Sequence, residues 1–239
     1  MRWQWTGGVA LIVVAVFNAN AHAAEPANEL AGMKRLAVFD FEDGATARWD
    51  FTDAGAWKIE SLPVGKGSGA AATKVLELFR QSKYETPVRS PLNRAMVKDL
   101  VVADFALDVR LQSTKPDYPH RDLCLYFGYR DPSHFYYVHF GKVADPHANQ
   151  IFIVDGAPRK AISLETTKGT PWTDNWHRAR IVRRVESGAI DVYFDDMDKP
   201  AMRAVDKTFT SGLVGVGSFD DVGRFDDVAV YGTQVETAK

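Results

Sequence analysis

The chain has 239 residues, with 29 lysines and arginines against 31 aspartates and glutamates, a formal net charge of −2. That balance has no basic excess, so neither nucleic acid nor an anionic membrane surface is an expected partner. A single cysteine, Cys124, excludes an internal disulfide, and a hydrophobic content of 46% is enough for a sizeable core.

The first segment reads as a leader. Met1-Arg2 supplies a positive start, and Gly7 to Phe17 is an apolar run too short to span a bilayer comfortably. Ala21-His22-Ala23 is a cleavage signal, which predicts a signal peptide over 1–23. The mature chain is therefore expected to be exported, to a periplasm or the extracellular space, without an integral membrane segment. Residues 24–35 read as a flexible mature N-terminus, 36–232 as one domain, and 233–239 as a tail.

From Leu36 onward, short alternating runs recur between turn signals, the pattern of an all-β, two-sheet antiparallel sandwich. Strands are predicted at 36–42, 56–61, 75–80, 104–112, 122–130, 134–140, 150–155, 178–185, 189–194, 213–219 and 225–231. Asp104 to Gln112 alternates most clearly: Phe105, Leu107, Val109 and Leu111 face one way, and Ala106, Asp108, Arg110 and Gln112 the other. That predicts one buried and one wet face. The one helical expectation falls on Asn93–Leu100. Turns are expected at Gly65–Gly69, at Gly141–Ala148 and at Glu186-Ser187-Gly188, the last joining two strands as a hairpin. The first strand ends in Phe39-Asp40-Phe41-Glu42 and the last carries Phe225-Asp226-Asp227-Val228. Acids at both ends suggest a sheet closed by pairing its first and last strands.

The densest polar and aromatic cluster lies between residues 120 and 153. Arg121 precedes one strand, His134 to Phe140 forms the next, and His147 and Asn149 begin a third. Alternation places Phe135, Tyr137 and His139 on one face, and a hairpin pairing brings His139 near His147 and Asn149. Three readings suit this cluster: a packed core with polar residues at its edge, a glycan-binding face, or a catalytic site. In the catalytic reading His139 or His147 is the acid/base and Tyr137 or Arg121 its electrostatic partner. His134 and His139 are five apart in a strand and fall on opposite faces, which disfavours zinc. Cys124, in a strand-like run, reads as a small buried hydrophobe.

Trp176-His177-Arg178-Ala179-Arg180-Ile181, the return strand Ile190 to Asp195, the run Gly212 to Phe219 and the end Phe225 to Gly232 resemble the C-terminal half of concanavalin A-like (laminin G-like) jelly-roll domains. The layout is similar to bacterial 3-keto-disaccharide hydrolase-type domains, over roughly residues 36–232. The resemblance implies an oligosaccharide or polysaccharide partner held on a concave sheet face. It places that face on the 104–112, 122–130, 134–140 and 149–154 strands, with Arg121, Tyr137, His139, His147 and Asn149 as ligand-binding residues. Hydrolysis or elimination of oligosaccharides is the enzymatic alternative, and an envelope protein without a sugar ligand is a third. The E-x-D-x-x-E strand of retaining glucanases of this superfamily is absent, so a carboxylate pair has no obvious carrier. The resemblance also implies a structural calcium between first and last strands, at Glu42 and Asp226, with Asp40 as a further ligand. The alternative for those acids is a solvated edge that discourages aggregation.

Overall fold

A computed structural model describes residues 26–64 and 71–236. The expected leader, the Gly65–Gly69 turn and the end of the expected tail lie outside the described residues. In chain order the described strands are β1 (Glu29–Leu30), β2 (Met33–Phe39), β3 (Trp49–Phe51), β4 (Trp57–Val64), β5 (Ala71–Leu78), β6 (Asn93–Val97), β7 (Val102–Ser113), β8 (Cys124–Asp131), β9 (His134–His139), β10 (Gln150–Asp155), β11 (Lys160–Ala161), β12 (Ser163–Thr166), β13 (His177–Arg184), β14 (Ala189–Phe194), β15 (Met202–Val205), β16 (Leu213–Ser218) and β17 (Gly223–Gln234). Among the described residues there is no α-helix, only a short 3-10 turn at Ala54–Ala56.

The strands form two antiparallel sheets. The ten-stranded sheet runs β1-β2-β17-β7-β13-β14-β15-β12, and β5 pairs with β17 while carrying β4 on its other side. The seven-stranded sheet runs β11-β10-β9-β8-β16-β6-β3. The expected closure by first and last strands is present: Val228, Ala229 and Val230 of β17 lie opposite Phe39, Val38 and Ala37 of β2. Inward side chains of both sheets, among them Leu107, Val109, Leu111, Leu125, Val138 and Val216, share one core. Face-to-face packing of two alternating sheets produces that core directly, because period-two chains place every second residue inward.

Three expectations need correction. The segment expected to be helical, Asn93–Leu100, begins as strand β6, between β16 and β3. All five of its residues are buried, so neither face shows the polar alternation by which strands are read. Its neighbour β16 accommodates it through glycine: a Cβ on Gly215 or Gly217 would collide with the backbone oxygens of Ala95 and Asn93. Second, the outward face of β7 is not wet along its whole length. Ala106 and Asp108 are buried there, under a small apolar cluster of Met33, Ala229 and Tyr231, and the Asp108 carboxylate accepts from Arg178 Nε at 2.7 Å and Arg180 Nε at 2.6 Å. Third, the strands expected to make one sugar face belong to both sheets: 104–112 lies in the ten-stranded sheet and the other three in the seven-stranded one.

Candidate functional site: a groove on the ten-stranded sheet

A groove of about 850 Å³ opens on the outer face of the ten-stranded sheet. Its floor is built by the alternation read in the sequence. Arg110 and Gln112 of β7 and Arg224 and Asp226 of β17 point outward while their neighbours fill the core. The β4–β5 hairpin forms one wall through Leu62, Val64 and Thr73, and Trp176, just before β13, forms part of another.

The polar groups of the floor are held by one another. The Arg110 guanidinium lies 5.0 Å from the centroid of the Trp176 ring. Its Nη1 donates to Asp227 Oδ2 at 3.0 Å and to Asp226 Oδ2 at 3.4 Å. Arg224 donates from Nε to buried Glu77 at 3.0 Å and from Nη1 to Gln112 Oε1 at 3.4 Å. A break in the β17–β7 register between Asp226 and Ala229 aims the acids into the groove. Asp227 takes a left-handed φ of 47° there, a strained conformation of the kind found where function fixes the backbone. Burial pushes the Asp226 carboxyl up to about 7, reinforced by the neighbouring Asp227 charge and opposed by Arg110. This carboxyl therefore changes protonation near neutral pH inside a wide groove, a combination that marks candidate sites.

Asp40, Glu42 and Asp226 do meet in this groove. Their oxygens, however, are turned to protein donors. Asp40 Oδ1 accepts from Glu42 N at 3.2 Å. Glu42 Oε1 accepts from Lys74 N at 3.1 Å and from the Thr73 hydroxyl, and the Glu42 carbonyl accepts from Lys74 Nζ at 2.8 Å. Asp226 Oδ1 accepts from Asp227 N at 2.8 Å. Calcium needs six to eight oxygens free to face it, and this donor set, crowded by Lys74 and Arg110, does not fit one. The first and last strands are joined here by backbone pairing.

The histidine and tyrosine cluster lies on the outer face of the other sheet. Gln150 pairs with His139, so the hairpin brings His139 and His147 together as expected. His139 Nδ1 is 2.9 Å from the His147 carbonyl and its Nε2 is 3.2 Å from Asp122 Oδ2. The His147 side chain is exposed. The other residues of the cluster are enclosed. Tyr137 is 0% exposed, stacks on Phe152 at 5.0 Å and accepts from Arg159 Nη1 at 2.9 Å. Burial holds its phenol well above the usual range. Arg121 donates to Ser113 and, at 3.0 Å, to Asp174. Asn149 donates to Thr166 and Thr167 and accepts from Thr170. Each of these three buried side chains ties loops to the sandwich, and none presents a free polar atom to solvent.

The groove residues Arg110, Gln112, Trp176, Arg224 and Asp227 were not singled out from the sequence. The outward phase of β7 was the available signal for the first two.

No protein-family model matches this sequence, and no curated protein matches it. Solved structures do match. A GH43 protein, BlXynB, from Bacillus licheniformis aligns with a TM-score of 0.53 at 13% identity, over 82% of this chain and 39% of that one. The carbohydrate-binding module CBM66 from Bacillus subtilis aligns at 0.49 and 15% identity, over 74% and 96%. A Lotus tetragonolobus seed lectin aligns at 0.45 and 13% identity, over 78% and 97%. The fold is the concanavalin A-like jelly roll. At such identities the likeness is one of architecture, and the site must be argued from the residues of this chain. Among the described residues no helix is long and apolar enough to cross a membrane.

Proposed function

We propose that this chain recognises carbohydrate and that the groove over Arg110, Trp176, Arg224 and Asp226 is where the sugar sits. The observation that carries the reading is the pairing of an indole with planar hydrogen-bonding groups in one cleft. A pyranose offers an apolar face, which suits an aromatic ring, and a rim of hydroxyls, which suits guanidinium, amide and carboxylate groups. The neighbours of the same fold include a carbohydrate-binding module and a seed lectin, which is consistent with this use. The leader read in the sequence sets the expected compartment as the periplasm or the extracellular space.

A second reading has its own observation. A carboxyl displaced to about 7 can donate a proton near neutral pH, so Asp226 is the general acid of choice if the bound sugar is also cleaved.

The test is calorimetric titration of the protein against oligosaccharides, 3-keto glycosides and acidic polysaccharides, with mass spectrometry of each mixture. One class is expected to bind, and Trp176→Ala to weaken it by roughly thirtyfold, as loss of a central aromatic anchor does. Unchanged affinity in Trp176→Ala, or no binding anywhere in the panel, overturns the reading. Product formation that disappears in Asp226→Asn while binding survives establishes the catalytic version.

A further inference from the structure

Beside the end of that groove marked by Gln112 and Arg224, three acids converge where the β16–β17 turn meets the approach to β8. Asp122 immediately precedes β8, and Asp220 and Asp221 form the turn from β16 to β17. One oxygen from each lies within 4.8 Å of one from each of the others. Asp122 is 0% exposed and Asp221 1% exposed, while Asp220 opens to solvent.

The two oxygens of Asp122 are used unequally. Oδ2 accepts from Phe219 N at 2.8 Å, lies 3.2 Å from His139 Nε2 and receives the Cys124 thiol at 3.5 Å. Oδ1 is buried and has no hydrogen-bond partner. A buried carboxylate oxygen without a donor is costly, and its presence asks for a missing partner such as a water or an ion. Asp221 is tied by Asp122 N at 3.0 Å and by the Tyr118 hydroxyl at 2.7 Å, so the second acid is held in place beside the first. Local positive charge is sparse. Lys115 Nζ sits 3.5 Å from Asp221 on a side chain that is 43% exposed, and His139 faces Asp122 from the opposite side.

We propose that Asp122, Asp220 and Asp221 bind a divalent cation of the calcium type, stapling the β16–β17 turn to the start of β8. Asp122 supplies a fixed buried carboxylate with one oxygen still unpaired, Asp221 a second carboxylate held by Tyr118 and the Asp122 amide, and Asp220 the solvent-side entry. All three ligands are hard oxygens, which suits calcium rather than zinc. A softer ion would need the Cys124–His139 side of Asp122. There the added ligands would be Cys124 Sγ and His139 Nε2, which both lie against Asp122 Oδ2. The site is distinct from the groove acids Asp40, Glu42 and Asp226, and it does not depend on the carbohydrate reading.

The experiment is terbium titration of the chelator-stripped full chain, with emission sensitised through tyrosine, since the Tyr118 hydroxyl bonds one of the ligands. Saturable emission displaced by calcium is expected. Asp220→Asn, at an exposed position that leaves the core intact, is expected to weaken terbium and calcium by about tenfold or more, because affinity in such sites follows the count of charged ligands. Glu42→Gln is expected to leave both unchanged. No saturable signal, full affinity in Asp220→Asn, loss of affinity in Glu42→Gln, or displacement by zinc with a requirement for Cys124 each overturns the proposal.

Discussion

The two sheets present outer faces of similar raw material, and one is filled while the other is open. On the seven-stranded sheet, Tyr126, Phe135, Tyr137 and Phe152 point outward and are all buried. They are roofed by the segment that carries Tyr84 and Val88 and by Arg159, whose guanidinium lies 4.0 Å from the centroid of Phe219 and 4.9 Å from that of Phe152. Arg94, 1% exposed, is itself enclosed between Tyr84 and Phe135. On the ten-stranded sheet, Arg110, Gln112, Trp176 and Arg224 point outward with no such roof and line the groove. Aromatic and cationic residues on an outward strand phase are therefore not a binding face by themselves. The loops that cross the sheet decide whether the phase becomes a second core or a site.

The largest effect that can break this comparison lies on the filled face. Phe135→Ala is expected to cost about 3–5 kcal/mol in denaturant unfolding, as a large-to-small change in a packed layer does. Sugar affinity of the folded fraction should stay as it was. A drop in affinity with little change in stability would reverse the roles of the two faces.

Next is the pH response of the open face. Asp226 has its ordinary pKa of 3.8 in the unfolded chain and about 7 in the folded one. Between those values the folded chain holds a proton that the unfolded chain has released. Its contribution to stability is therefore full at low pH, falls as pH rises from about 4 to about 7, and is gone above that. At about 1.4 kcal/mol per unit the change is roughly 4 kcal/mol at most. Asp226→Asn should remove this slope, and parallel melting curves of the two proteins against pH would disprove it.

A smaller effect sharpens the account of the enclosed cluster. Asn149→Ala leaves the Thr170 hydroxyl and the Thr167 carbonyl short of partners, at a residue whose φ of 53° alanine tolerates poorly. A loss of about 2 kcal/mol is expected, with Asn149→Gly recovering the backbone part. An equal loss in both variants would show that the side-chain bonds carry all of it. The smallest effect belongs to His147→Ala. Its side chain is exposed, and its hydrogen bonds are made by the backbone, the carbonyl to His139 and the amide to Asp145. Stability should move by less than about 0.5 kcal/mol and sugar binding not at all; a clear fall in affinity would bring the site back to this sheet.

The same contrast explains what could be read in the sequence. Long strands with one polar phase, such as β7 and the β13–β14 hairpin, were legible, because alternation reports a sheet with one covered side. So was the meeting of the Phe39 and Val228 strands. The β6 strand was not, because Asn93 and Arg94 are buried polar residues, and Ser218 and Phe135, which contact them, come from distant parts of the chain. Tyr137 and His139 were placed on the correct face, but the roof over that face has no local signature. Trp176 stood out as the residue entering a long strand. Its role at a groove depends on β17 lying beside β7, a long-range pairing that a local pattern does not contain.

The position of β17 also bears on how the protein is made. That strand pairs with β2, β5 and β7 at once, so it joins the halves of the ten-stranded sheet although it follows every other described strand in the chain. Until Gly223–Gln234 has been synthesised, β2 and β5 have no route to β7, and the groove has no floor. Assembly of this sheet thus waits for its last described strand and depends on contacts distant in sequence, which slows folding. A nascent chain of this design remains open to chaperones until its β17 segment has emerged.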